Sequence, residues 1–412
     1  MLGLIYDALE DHEAAEPLHL RALEIKTNEL GSRHLDVARV LHDLALHYDA
    51  RGVFDKALDF DQRTLAIRET ELPANHVDVA LSLFNTGVGH RRLGDDEKAE
   101  PMLRRALKIY ADAGVSQTDV AMAAYELGLL YSDQETYAGQ DDFDKAKSAF
   151  VSALAIREKV LEPEALDLAT TLYELGSLCQ DYDEPKNARP YLERALKIQE
   201  KQLEADHADV CNSIYQLANV CRMLEDYQQA QIYYERVLAL DTKKFGLESE
   251  DVAMDLNSMG RLYLDQENYT QAEHFYERAL AIASTVHGKE SVQLAALSSN
   301  LAYVYREQNK YALSEKLYLQ ALKISEKELG SDDPKVAFRL SNLGHMYTDQ
   351  DKVEQAEKCY KRALSIREKL HWPSDYRVAN VLENMGILYR NADRNKEADA
   401  VVKRAKGIRE KN

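Results

Sequence analysis

Residues that interrupt helices are scarce in this chain: its 412 residues hold only 8 prolines and 17 glycines. That scarcity excludes turn-rich all-β and collagen-like architectures, and the abundance of Ala, Leu, Glu, Lys and Tyr leaves helix as the main element. Cysteine is also rare. Cys179, Cys211, Cys221 and Cys359 form no CxxC pair, so they read as small core residues in a reducing compartment, and a cytoplasmic location is expected. No apolar run approaches the length of a membrane span, and Met1-Leu2-Gly3-Leu4-Ile5-Tyr6-Asp7 lacks a basic stretch ahead of an apolar one. Neither membrane insertion nor a signal peptide is expected. Positive charge is in deficit: 52 basic against 71 acidic residues give −19, which repels phosphate and excludes non-specific binding to nucleic acid or anionic membrane. With 45% hydrophobic residues, wholesale disorder is excluded as well.

Catalytic signatures are missing too. The chain contains no GxxxxGK[ST], HExxH or GxSxG. Gly87-Val88-Gly89-His90-Arg91-Arg92-Leu93-Gly94 has no strand before it, so it is no dinucleotide loop. The 12 histidines are scattered, and His42 and His47 lie five apart, off a common helix face. No enzyme activity, catalytic residue, cofactor or metal site is expected.

What is present is a repeat. Ala-Leu-x-Ile recurs from Ala22-Leu23-x-Ile25 to Ala363-Leu364-x-Ile366, with its leucines at 23, 65, 107, 154, 196, 238, 280, 322 and 364. Every step is 42 residues except one of 47. Small residues keep the same beat: Ala45, Gly87, Gly128, Gly176, Ala218, Gly260, Ala302, Gly344 and Gly386. Within a unit, Val252-Ala253-x-x-Leu256-x-x-Met259-Gly260-x-Leu262-Tyr263 and Tyr269-x-x-Ala272-x-x-Phe275-Tyr276-x-x-Ala279-Leu280-x-Ile282 place apolar residues three or four apart. Each stretch is an amphipathic helix, A and then B, joined by the polar turn Asp265–Asn268. Asp333-Pro334 reads as an N-cap followed by proline in the first turn, and His34, His76 and His207 hold the cap position in their own repeats. Asp36, Asp78, Asp119, Asp167, Asp209 and Asp251 share one phase, in the first turn of each helix A, where a carboxylate favours the helix dipole. The small residue of the Gly260 type lets helices A and B approach closely.

Leu-Gly-x-x-Tyr followed by Tyr-x-x-Ala-Glu-x-x-Tyr-x-Arg-Ala-Leu-x-Ile resembles the tetratricopeptide repeat. The 42-residue form, joined by Glu326-Lys327-Glu328-Leu329-Gly330-Ser331-Asp332-Asp333-Pro334, is similar to the kinesin light chain and nephrocystin class. The resemblance covers the whole chain and implies an all-α fold, a right-handed superhelical solenoid of antiparallel helix pairs. The expected organisation is a single solenoid over 1–412: a truncated first repeat at 1–31, nine complete repeats over 32–410, and an inserted turn at 135–142. Leu2-Gly3-x-x-Tyr6 aligns with Leu127-Gly128-x-x-Tyr131, so the chain is read as starting inside a helix A, and self-association through that uncapped repeat stays open.

The family geometry puts a concave wall on the A helices. Phase positions along that wall vary while core positions do not. Phe84, Tyr125, Tyr173 and Tyr215 form an aromatic run, and Asn300, Asn342 and Asn384 an amide ladder with Asn257 beside it. An asparagine amide can bond both N–H and C=O of an extended peptide, and the ladder resembles the groove asparagines by which kinesin light chain holds cargo peptides. Arg91, Arg222, Arg261, Arg306 and Arg390 suit carboxylates of a ligand, or else pair with nearby Glu and Asp. The tyrosines equally suit packing between neighbouring helices. The function expected is a protein-interaction scaffold binding an extended or short helical peptide, including one with acidic residues. A sensor or autoinhibitory arm of a larger signalling protein and a self-assembling rod are the alternatives.

Overall fold

A computed structural model describes residues 2–114, 116–133, 140–288, 290–370 and 376–410. All regular structure among them is helical. Contacts divide the chain into two compact units, Met1–Val220 and Cys221–Asn412.

The first unit is built of helix pairs: Leu2–Ala8 with His12–Leu30, Leu35–Ala50 with Phe54–Glu71, Val77–Arg92 with Asp96–Ala113, Gln117–Ser132 with Gln140–Val160, and Leu166–Asp181 with Pro185–Gln202. The second unit contains Tyr227–Phe245, then the pairs Glu250–Asp265 with Tyr269–Val286, Val292–Glu307 with Tyr311–Leu329, Pro334–Asp349 with Val353–Leu370, and Tyr376–Asn391 with Asn395–Arg409. The unit boundary falls within the helix Ala208–Met223. The helices of each pair pack together, and B helices stack on the next A helix, as His12–Leu30 does on Leu35–Ala50 and Tyr227–Phe245 on Glu250–Asp265. The result is an α-solenoid in each unit. Residues 135–139 of the expected inserted turn lie outside the described residues, and 140–142 open the helix Gln140–Val160.

Local chemistry explains the helix starts. His34 Nδ1 accepts from the Asp36 N–H at 3.1 Å, His76 Nδ1 from the Asp78 N–H at 3.1 Å, and Asp333 Oδ1 from the Lys335 N–H at 2.7 Å. Each satisfies a donor that the first helical turn leaves unpaired. The described turns inside hairpins use one left-handed residue, supplied by Gly52 and Gly94 in two repeats and by Glu267, Asn309 or Asp351 in others. Where the small residue of an A helix is glycine, it faces a bulkier residue of its B helix. A Cβ on Gly260 would stand 2.8 Å from the Tyr276 ring, and one on Gly176 2.5 Å from Leu192. Tyr276, Tyr318 and Tyr360 are consequently among the most buried side chains of the molecule.

Candidate functional site

In Cys221–Asn412 the amide series lies along successive A helices. Asn257, Asn300, Asn342 and Asn384 are all half-buried. Asn300 Nδ2 donates to Asn257 Oδ1 at 2.9 Å, so the two amides are joined from one A helix to the next. A cavity of about 440 Å³ opens there, lined by Arg261, Leu264, Tyr269, Asn300, Tyr303, Phe338 and Asn342 among others. Phe338 is 54% and Tyr303 36% exposed, an open apolar surface beside two amides. Burial holds the His345 imidazole below its ordinary pKa, against a hydrogen bond to Asn384 that works the other way. The arrangement offers amide donors and acceptors to a peptide backbone and flat apolar faces to its side chains.

The aromatic run of Met1–Val220 is set differently. Phe84 belongs to the hydrophobic core, 9% exposed. Tyr125 sits between the Phe150 ring, 5.6 Å away, and the Arg157 guanidinium, 4.8 Å from its centroid. Burial pushes its hydroxyl pKa up. Tyr173 is half-buried and lines a shallow cavity with Glu174, whose carboxyl is pushed up to about 7 by burial. Tyr215 is half-buried. A second cavity of about 230 Å³ is lined by Asp49, Asp61, Phe84, Asn85, Met122 and Glu126 among others.

Four of the five arginines are engaged within the chain. Arg91 Nε donates to Glu126 Oε2 at 3.1 Å and its Nη1 to Asp133 Oδ2 at 3.0 Å. Asp265 receives both Arg222 and Arg261, the latter at 3.0 Å. Arg306 pairs with Asp349 and, at 3.3 Å, with Glu307. Arg390 is exposed and has no ion-pair partner among the described residues. Arg91–Asp133, Arg222–Asp265 and Arg306–Asp349 join each A helix to the next at a separation of 42 or 43 residues, close to the repeat length. These pairs were readable in the sequence by asking which charges lie one repeat apart.

Sequence reasoning missed the apolar members of the wall. Phe338 and Met254, six before Gly344 and Gly260, are exposed, as are Tyr303 and Ile387, one after Ala302 and Gly386. Helical spacing was the available signal: Phe338, Asn342 and His345 are separated by four and three residues and so share one stripe.

Comparison with known proteins agrees with this architecture. The tetratricopeptide repeat model matches residues 1–70, 50–112, 135–201, 183–243, 250–327, 292–369 and 336–411. No curated protein sequence matches the chain. Among solved structures, BtubC (BKLC) from P. vanneervenii is 26% identical with a TM-score of 0.49, over 55% of this chain and 91% of that one. The Bacillus subtilis aspartyl phosphate phosphatase F is 13% identical with a TM-score of 0.56, over 90% of this chain and 93% of that one. A Rap protein complexed with competence and sporulation factor is 15% identical with a TM-score of 0.50, over 92% and 99%. The last two show the fold alone. No helix among the described residues is long and apolar enough to cross a membrane.

Proposed function

Because the chain belongs to the tetratricopeptide repeat family, we propose that it is a protein-interaction scaffold that takes an extended or short helical segment of a partner against the A-helix wall of Cys221–Asn412. One observation carries the reading: Asn300 and Asn342 line a single open cavity with the exposed Phe338 and Tyr303. Amides hold a backbone whatever its sequence, and adjacent aromatic faces select side chains. The structure of a Rap protein complexed with competence and sporulation factor is that of a similar fold with a bound factor. The preference for acidic ligands rests on Arg390, the groove arginine with no ion-pair partner among the described residues. Arg91, Arg222 and Arg306 are taken up by carboxylates of the chain itself.

A peptide-library screen on the intact chain supplies the ligand, and fluorescence anisotropy measures it. Asn300→Ala, Asn342→Ala and Asn384→Ala together are expected to weaken binding at least about tenfold, roughly 1.4 kcal/mol. A loss within about a factor of two removes the amide ladder as the binding site. Adding Phe338→Ala should alter which peptides are selected more than it alters the affinity for a common backbone.

A further inference from the structure

At the start of Met1–Val220, three helices bring together a cluster that no catalytic or peptide-binding role absorbs. Asp7 of Leu2–Ala8, His12 and His19 of His12–Leu30, and His47 of Leu35–Ala50 converge. His47 Nδ1 lies 2.6 Å from Asp7 Oδ1, and His19 Nε2 lies 2.7 Å from Asp7 Oδ2. His12 Nδ1 stands 3.7 Å from Asp7 Oδ1; this atom is buried and has no hydrogen-bond partner among the described residues. One ligand atom each from Asp7, His12 and His47 lies within 4.8 Å of the others. The His47 side chain is fully buried, and that of His12 is 29% exposed.

The repeat gives this cluster its meaning. His19 occupies the phase of Leu103, Phe150, Tyr276 and Tyr360, a core position of the B helix. His47 occupies that of Leu262, Val304, Met346 and Leu388, a core position of the A helix. His12 stands where later repeats have Tyr269 and Tyr311. Three positions that are apolar or aromatic in most later repeats, with Asp61, Asp96 and Asn395 as exceptions, have thus been given to imidazoles, all around one carboxylate. Replacing packed apolar side chains by polar ones lowers stability unless the polar groups are satisfied, and His12 Nδ1 is not.

We propose that Asp7, His12 and His47 bind a divalent transition-metal ion, with His19 on the second oxygen of Asp7 orienting that carboxylate. Two imidazoles, borderline nitrogen donors, beside one carboxylate suit Zn²⁺, Co²⁺ or Ni²⁺ and disfavour Mg²⁺ and Ca²⁺, which prefer oxygen ligands alone. Metal–ligand bonds of about 2.0–2.2 Å set ligand atoms roughly 3.3 Å apart, so His12 Nδ1 closes in from 3.7 Å and the 2.6 Å contact between His47 Nδ1 and Asp7 Oδ1 opens to admit the ion. The half-exposed His12 gives the ion its entry, and a fourth position stays open to solvent or to a partner's ligand. Arg51 lies 3.4 Å from His47 Nε2, and Glu16 pairs with it. His19 acts through Asp7, as a carboxylate's partner does in metal sites generally.

The test uses the full chain, stripped of metal by chelation and dialysed. Titration with Co²⁺ is expected to saturate at one ion per chain with visible ligand-field absorption, which Zn²⁺ then abolishes, and Zn²⁺ should raise the midpoint of thermal unfolding. His12→Ala should weaken Zn²⁺ at least tenfold while leaving the metal-free midpoint close to that of the parent. Asp7→Asn, which keeps the shape of the carboxylate but turns one of its two acceptors into a donor, should also weaken Zn²⁺ at least tenfold, with its metal-free midpoint measured alongside. The exposed His274, in the other unit, is the control: His274→Ala should change nothing. Absence of stoichiometric binding, or His12→Ala and Asp7→Asn chains that bind Co²⁺ as the parent does, overturns the proposal. A failure here leaves the peptide wall of Cys221–Asn412 untouched, because the two sites share no residue.

Discussion

The two units are assembled from the same hairpin, yet one B-helix position tells them apart. In Cys221–Asn412 it is tyrosine in four successive repeats, at Tyr234, Tyr276, Tyr318 and Tyr360, before Val402 in the last. In Met1–Val220 it is His19, Asp61, Leu103, Phe150 and Leu192 in turn. A uniform column means one packing solution used again: a small A-helix residue, such as Gly260 or Gly344, makes room for the ring. A mixed column means that each repeat of the first unit solved the same gap with a different volume, and twice with a polar group. The walls differ in the same sense. The second unit puts amides beside exposed aromatic rings, whereas the first takes Phe84 into its core and holds Tyr125 between Phe150 and Arg157.

The contrast is broken most forcefully at the tyrosine column. Tyr276→Ala should cost about 3–5 kcal/mol in chemical denaturation followed by circular dichroism, since it empties a fully buried site. Leu192→Ala, its counterpart in the first unit, should cost about 2–4 kcal/mol. A Leu192 effect larger than that of Tyr276 would mean that the mixed column is the better packed one.

Asp61 sharpens the contrast next. Its carboxyl is buried, its Oδ1 has no hydrogen-bond partner among the described residues, and burial followed by the charge of Asp49 pushes its pKa up to about 7. The unfolded chain ionises this group near the ordinary carboxylate value. The folded state therefore holds the proton longer, and stability falls as pH rises from about 4 through about 7. Asp61→Leu, which restores the leucine found at 103 and 192, should stabilise the chain by about 2–4 kcal/mol at pH 7.5 and flatten this pH dependence. An unchanged slope would locate the titration elsewhere, with Asp255 of the second unit, pushed up to about 8 by burial and by Asp241 and Asp251, as the next group to replace.

Arg390→Ala should weaken acidic peptides by about two- to fivefold and neutral ones hardly at all, as an exposed charge contributes roughly 1 kcal/mol or less to a contact. Equal loss for both classes would remove charge from the selection rule. The smallest effect belongs to Tyr318→Phe. The Tyr318 hydroxyl is buried with no hydrogen-bond partner, so its loss should change stability by no more than about 0.5 kcal/mol, in the stabilising direction. A clear destabilisation would show that the tyrosine column is held by its hydroxyls and not by its rings.

Much of this was legible in the sequence because the repeat turns one observation into many. The caps His34 and His76, the hairpin turn at Asp265–Asn268 and the closeness forced at Gly260 all follow from spacing between neighbours in the chain. The carboxylate partners of Arg91 and Arg306 did not, because Asp349 lies on the next A helix and Asp133 just past the end of one, and each arginine was read in its own repeat. The histidine cluster escaped for a related reason. His42 and His47 were compared along one helix, whereas the convergence of Asp7, His12, His19 and His47 requires three helices to meet.

Periodicity alone determined that this protein is a stack of helical hairpins, because side-chain spacing of three and four residues fixes which face of each helix is buried. Tertiary structure decided which of the variable positions are open and which are taken. That outcome depends on distances between residues about 42 apart, which set whether an amide or a guanidinium is already held by its neighbour or left facing water.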